Sequence, residues 1–152
     1  MPAGIGEPVF DKLDACLAKA LMSVGAVKAV EIGDGIAVSQ YKGSENNDCF
    51  YINNGEVFKK TNHSGGIVGG ISDGSNIIMR AHFKPTPSIS QPQDTITNTH
   101  ENTTIEIHGR HDPIIVPRAV VVIEAMAAVT LLDLLMDNMS SRVEYLTEFY
   151  KK

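Results

Sequence analysis

Basic residues are in short supply in this chain. Lys and Arg together number 13 against 18 Asp and Glu, leaving a formal net charge of -5. That balance excludes the basic footprint by which nucleic-acid-binding domains are recognised. Cysteine is nearly absent. Cys16 and Cys49 are too few for a disulfide framework and lack the spacing of zinc ligands. Cys16 falls on an apolar helical face and reads as a small core residue. Such sparse cysteine fits a reducing compartment, cytosolic or organellar, and a cytoplasmic location is expected. Met1 to Gly6 has neither the basic region nor the apolar stretch of a secretory signal. A charge-free run of bilayer length is also lacking. Ile114 to Met136 comes nearest, but Arg118, Glu124 and Asp133 interrupt it, and each carries a heavy penalty in hydrocarbon. A central, buried helix of a soluble protein is expected there, with no membrane partner. There is no evident repeat and no low-complexity tract.

What is present suits one globular domain. The 152 residues are 43% hydrophobic and 20% charged, enough to bury a core. Glu7-Pro8 should open a helix, with proline at an early position where its missing N–H does no harm. Val9, Phe10, Leu13, Leu17, Ala20, Leu21 and Val24 then recur at helical spacing, and Gly25 should end the element. Ala26 to Ile32 and Ile36 to Tyr41 read as short strands about the turn Gly33-Asp34-Gly35. Lys42 to Asn47 is a polar loop. Asp48 to Thr61 is ambiguous, with a turn at Asn53-Asn54-Gly55. Asn62 to Asn76 holds five glycines and should be an irregular loop or pair of turns. Ile77 to Phe83 reads as a strand. The three prolines of Lys84 to Asp94 forbid an interior strand or helix. Thr103 to Ile107 alternates as a half-buried strand would, and a long helix is expected from Pro117 to Met136. The tail, Asp137 to Lys152, should fray or form a short helix.

Three segments carry candidate chemistry. Gly109-Arg110-His111-Asp112-Pro113 packs a fixed cation, an imidazole and a carboxylate at the mouth of the long apolar element. Arg offers a forked donor for phosphate or carboxylate, and an Asp beside a cation can take a proton. A structural Arg–Asp pair capping a helix is the plainer reading of the same residues. The second segment is Asn62 to Gly74. Its paired glycines let backbone N–H groups approach a phosphate or a planar ring. It lacks the Gly-Lys-Ser/Thr ending of a P-loop and the strand–turn–helix setting of a dinucleotide fingerprint. Tight turns explain such glycines equally well. The third segment, Lys84-Pro85-Thr86-Pro87-Ser88, sets a cation and two hydroxyls on a stiff backbone that has little entropy left to lose on binding. In isolation it could be an ordinary extended loop. His63, His82, His100, His108 and His111 show no metal-ligand spacing. Taken together, the three segments suit a phosphorylated, planar, anionic ligand such as a nucleotide or flavin.

Read in order, the segments resemble chorismate synthase. The matching stretches are Gly4 to Leu13, Val27 to Gly35, Asn62 to Ser72, Phe83 to Ile89, Gly109 to Pro113, and Glu124-Ala125-Met126. The resemblance covers nearly the whole chain and implies the C-terminal portion of an enzyme more than twice this long, residues 1–152 being a single domain. It thereby accounts for a chain that enters its first helix almost at once. The N-terminal half would carry the Gly-Glu-Ser-His motif, two catalytic histidines and the substrate-binding arginines. The implied fold is α+β, a fragment of a β-α-β sandwich with helices packed on antiparallel sheet. The implied reaction is the anti-1,4-elimination of phosphate from 5-enolpyruvylshikimate 3-phosphate to give chorismate, a carbon–oxygen lyase step of aromatic amino acid biosynthesis. It requires reduced FMN without net redox change, and the family is associated with NADP and a homotetrameric assembly.

By the same resemblance, Arg110 touches FMN and Asp112 lies near the flavin N5, a candidate to help relay the C6 proton. Gly69 and the run Lys84, Pro85, Thr86, Pro87 and Ser88 match flavin-lining positions, as do Gly25 and Ala26. Two residues depart from the family pattern. Gly25 stands where Asn is common and loses any side-chain contact. Ile114 stands where small residues are usual and could shift the packing behind Asp112. The chain alone is expected to be inactive and to self-associate through the apolar long helix. Lys84, Ser88 and Arg110 are expected to gather near the Gly69 backbone, with an anion or Asp112 between the two cations. Two other readings stand beside the enzyme portion: a stand-alone flavin- or nucleotide-phosphate-binding module, and a structural fragment whose open core face drives association.

Overall fold

A computed structural model describes residues 1–151. Two helices and a two-stranded sheet make its centre. Helix α1, Leu13–Met22, buries Leu13, Leu17 and Leu21 with no exposed surface at all, because a four-residue step returns to nearly the same side of a helix. Asp14 in its first turn and Lys19 in its last complement the helix dipole. The helix starts later than Glu7-Pro8 suggested. Phe10 has a φ of 58° and is 90% exposed, so the apolar stripe does not extend back through Val9 and Phe10. The stop also differs. The helix ends at Met22, and the left-handed residue beyond it is Ala26 (φ 70°), not Gly25.

Strand β1, Val27–Ile32, pairs antiparallel with β6, Met79–Phe83, from Val27 opposite Phe83 to Ile32 opposite Met79, with an irregularity between Val27 and Ala29. The expected strand over 36–41 is a 3-10 helix, Gly35–Gln40. Gly33 and Gly35 have positive φ and turn the chain back on itself. The Ile36 N–H then bonds the Glu31 carboxylate (3.1 Å) and the Ala37 N–H bonds the Asp34 carbonyl, so the backbone is satisfied locally instead of across a ladder.

The remaining strands are antiparallel pairs. β2, Phe50–Asn53, and β3, Glu56–Lys59, close about Asn54 (φ 51°) and Gly55 (φ 83°), the two left-handed residues of a type I′ hairpin. Inside the glycine-rich segment β4, Ile67–Val68, and β5, Ile71–Ser72, close about Gly69 (φ 61°) and Gly70 (φ 91°) in the same way. β7, Gln93–Ile96, pairs with β8, Asn102–Ile105. Every residue of β8 is exposed, so the alternation read there does not mark a half-buried strand.

Helix α2 runs Val116–Ser140 with proline in its first turn, and α3, Val143–Tyr150, follows. One stripe of α2, with Ile123, Met126, Ala127, Leu131 and Leu134, packs into the α1 core alongside Val30, Ile32 and Ile77. Only Ala127 is buried. Val120, Val121, Val129, Leu132 and Met136 are exposed, so within this chain the long helix is not enclosed on all sides. It is long and apolar enough to cross a membrane. Helices and small antiparallel sheets together make the fold α+β.

Candidate functional site

The Arg-His-Asp segment lies in the loop between β8 and α2. Asp112 does not pair with Arg110. Its carboxylate is clasped by Arg118 in the first turn of α2, at 2.7 Å from Nη1 and 3.4 Å from Nη2. The Arg–Asp pair present here therefore uses Arg118 in place of Arg110, and no side chain caps the N-terminus of α2. Arg110 is exposed and has no ion pair among the described residues. His111 sits between two segments. Its Nε2 lies 2.8 Å from the Ile107 carbonyl and its Nδ1 lies 3.2 Å from Ser88 Oγ. A carbonyl only accepts, so Nε2 carries the proton and Nδ1 of the neutral ring can accept from the Ser88 hydroxyl.

The Lys84–Ser88 run leaves β6 and is fixed at both ends. The Lys84 N–H donates to the Ala26 carbonyl (2.7 Å), which sets the Gly25-Ala26 pair beside it. Ser88 reaches His111 as above. These bonds tie residues 25–26 to one end of the 84–88 run and the 110–112 loop to its other end. Within the run the Thr86 hydroxyl is buried with no hydrogen-bond partner. An orphaned buried hydroxyl is uncommon, and a polar group seated against this run would satisfy it.

Gly69 belongs to another set of contacts. The Gly70 carbonyl accepts from the Leu13 N–H (2.8 Å), and Ser72 is bonded through its backbone to Gly4 and Ile5. A side chain at Gly69 would meet no atom within 4 Å, so the turn faces open space. No hydrogen bond or ion pair among the described residues joins Gly69 or the Lys84 ammonium to Arg110, and Asp112 does not lie between the two cations as an ion-pair partner of either. Two hollows exist elsewhere. One of about 1270 Å³ runs between α1 and the C-terminal half of α2, past Phe10, Cys16, Val129 and Met136. One of about 320 Å³ lies by Glu31, Tyr41 and Arg80. Neither is lined by residues 84–88 or 109–112.

Sequence reasoning missed the polar groups that hold the glycine-rich segment. The Asp48 carboxylate accepts from the His63 N–H (2.8 Å), the Ser64 N–H (3.0 Å), the Ser64 hydroxyl (2.8 Å) and the Thr61 hydroxyl (2.8 Å). Burial pushes its pKa up, but these bonds more than offset that and hold the group well below the usual carboxylate range. Lys59 lies 3.5 Å from Asp48 and also binds Asp73. Asp73 is likewise depressed: burial raises it, and the bonds from Lys59 and Ser75 lower it further. Glu31 is lowered by the Ile36 N–H and by His82, and Asp34 bonds His63 Nδ1. Asp48 carries no sequence signature, because its partners lie 13 to 16 residues away on a different turn.

Residues 1–136 match the family model described as chorismate synthase. A protein of Lachnoclostridium phytofermentans named chorismate synthase is 63% identical over the whole of this chain and 42% of its own length. One from Agathobacter rectalis with the same name is 57% identical over the whole of this chain and 41% of its own length. A crystal structure of chorismate synthase superposes with a TM-score of 0.72 at 30% identity, across 97% of this chain and 38% of that one. The chain therefore spans about two fifths of the length of the relatives it matches.

Proposed function

Because this chain belongs to the chorismate synthase family, we propose that it is the C-terminal portion of an enzyme that eliminates phosphate from 5-enolpyruvylshikimate 3-phosphate to give chorismate. The observation that carries the reading is the 63% identity to a chorismate synthase along the entire chain. The remaining length of the enzyme would supply the other substrate contacts, so this polypeptide alone is inactive. A cytoplasmic location and a homo-oligomeric full-length enzyme belong to the same proposal.

The residues fit a flavin phosphate cofactor. The unpartnered Thr86 hydroxyl lies in a run that also offers Ser88, and Lys84 and Arg110 are exposed cations free of ion pairs among the described residues. Gly69 presents an open turn with no side chain to obstruct a ring. Reduced FMN, when bound, supplies electron density beside the substrate as phosphate departs. The protein's part is binding and orientation. Lys84 and Arg110 neutralise anionic charge, and the two prolines keep the 84–88 backbone rigid. Ser88 and His111 lock that run to the loop that bears Asp112. The Asp112 carboxylate can hold a proton from substrate once one of its two Arg118 bonds yields.

Anaerobic titration with oxidised and reduced FMN tests the reading. Reduced FMN should bind, and Arg110→Ala should weaken it by roughly tenfold, the loss expected for one charge-assisted contact. Turnover by the 152-residue chain itself, above the rate without protein, would overturn its assignment as an incomplete portion. Flavin binding that is indifferent to both Arg110→Ala and Thr86→Val would overturn the site.

A further inference from the structure

The glycine-rich segment has a neck and a tip. Its tip is the Gly69-Gly70 turn, and its neck is formed by residues 61–64 on entry and 73–75 on exit. Lys59 stands in the neck. Its ammonium contacts Asp48 (3.5 Å) and the Ser64 hydroxyl (3.4 Å) on the entry side and Asp73 on the exit side. All three ionic side chains are nearly sealed from water, at 8% exposure for Lys59, 10% for Asp48 and 14% for Asp73. Asp48 gathers four donors from residues 61–64 on its two oxygens. Asp73 caps the exit by accepting from the Ser75 N–H (2.8 Å), while its own N–H bonds the Gly66 carbonyl (3.0 Å). One cation thus ties together two strands of chain that carry the tip between them.

We propose that Asp48, Lys59 and Asp73 form a clamp that fixes the Gly69 turn in the geometry needed to receive the flavin, so that the three are positioning residues for that site. The inference rests on the flavin reading above. A β-carbon at Gly69 would meet no atom within 4 Å, so support for the turn comes from the chain on either side of it. The clamp supplies it at the neck and the Gly70–Leu13 bond supplies it beyond the tip. Replacing any of the three by a neutral group weakens the clamp for a simple reason. Removing Lys59 leaves two carboxylates facing each other in a dry site; removing Asp48 leaves the cation, two N–H groups and two hydroxyls short of a partner, and removing Asp73 leaves the cation and the Ser75 N–H short of one.

Two readouts on the 152-residue chain separate this from general stabilisation. Amide hydrogen exchange reports the loop directly, and anaerobic titration with reduced FMN reports the site. Asp48→Asn should speed exchange across residues 61–75 by roughly tenfold while leaving α1 and the β1–β6 pair at the wild-type rate, and should weaken FMN by a similar factor. Lys59→Met should do the same, and Lys59→Arg should restore much of both. Should Asp48→Asn fail to fold, Ser64→Ala, which removes one hydroxyl of the network, takes its place with a smaller effect of the same pattern. Exchange that rises equally in α1 and β1 overturns the clamp in favour of ordinary core stability. A loosened loop with unchanged FMN affinity overturns its link to the cofactor. A wild-type chain that binds no FMN overturns the functional reading and that link together, while the exchange pattern still decides the clamp.

Discussion

Gly69 and Gly70 are neighbours in one turn, yet their substitutions should differ sharply. A β-carbon at Gly70 would sit 2.5 Å from the Glu7 carbonyl oxygen and 2.6 Å from Lys12 Cγ, whereas one at Gly69 meets nothing. Gly69→Ala should therefore cost only the left-handed penalty, about 1–2 kcal/mol. Gly70→Ala adds a backbone collision and should cost about 3 kcal/mol or more. Gly25→Ala should go the other way. That glycine has no left-handed φ and no close neighbour, so alanine should add about 0.4–1 kcal/mol by narrowing the unfolded ensemble. Urea unfolding of the three variants checks the order, and equal losses at Gly69 and Gly70 would refute it. A glycine after a helix invites the left-handed role, but that conformation falls on Ala26, which a residue scale disfavours and the tertiary pairing of Lys84 with Ala26 fixes. Ser88 and His111 illustrate the opposite case. Both lay in segments singled out for their chemistry, but only the fold shows that they touch.

At the scale of elements, the hairpins were legible where turn chemistry is strict. Asn53-Asn54-Gly55 announced the β2–β3 turn, because few residues other than Asn and Gly accept its angles. The segment 36–41 was not legible. Its alternation of apolar residues suits a strand, while the bond from Ile36 to Glu31 that curls it depends on a side chain five positions earlier. The glycine-rich element carries a pH prediction. Asp48 and Asp73 have folded-state pKa values below their unfolded ones. Their contribution to stability is therefore fully present above the unfolded value, about pH 4, and is lost as the pH falls through the folded values. Stability should hold from neutral pH to about pH 5 and fall progressively below it. Asp48→Asn should be less stable at neutral pH and lose less on acidification. Urea midpoints measured between pH 7 and pH 2 decide this, and an unaltered acid slope in the variant would count against it.

At the scale of the whole molecule, the long helix was legible from composition but its surroundings were not, since an apolar run says that something covers it and does not say what. The accessible surface is 11125 Å², against about 7,500 Å² expected for a folded monomer of 16.4 kDa. Much of the excess is apolar, including Val121, Val129, Leu132 and Met136 on α2 and Phe149 and Tyr150 on α3. Burying apolar surface is worth about 25 cal/mol per Å², which favours association that covers these side chains. The isolated chain should therefore form concentration-dependent oligomers and bind apolar dyes, as light scattering across a broad concentration range would show; a monomer with a sharp melt and no dye uptake would mean that the chain closes its own core. The long-range bonds at the N-terminal segment have a consequence for how the molecule comes into being. Asn138 donates to the Gly4 carbonyl 134 positions earlier, and the Ser72 hydroxyl bonds the Pro2 carbonyl. On a ribosome adding residues at about 5–20 per second, the partner for Gly4 emerges on the order of ten seconds after Gly4 itself. For that interval the three leucines of α1 lack their α2 neighbours and can pack only on Val30, Ile32, Ile67 and Ile77, so the core closes late in synthesis.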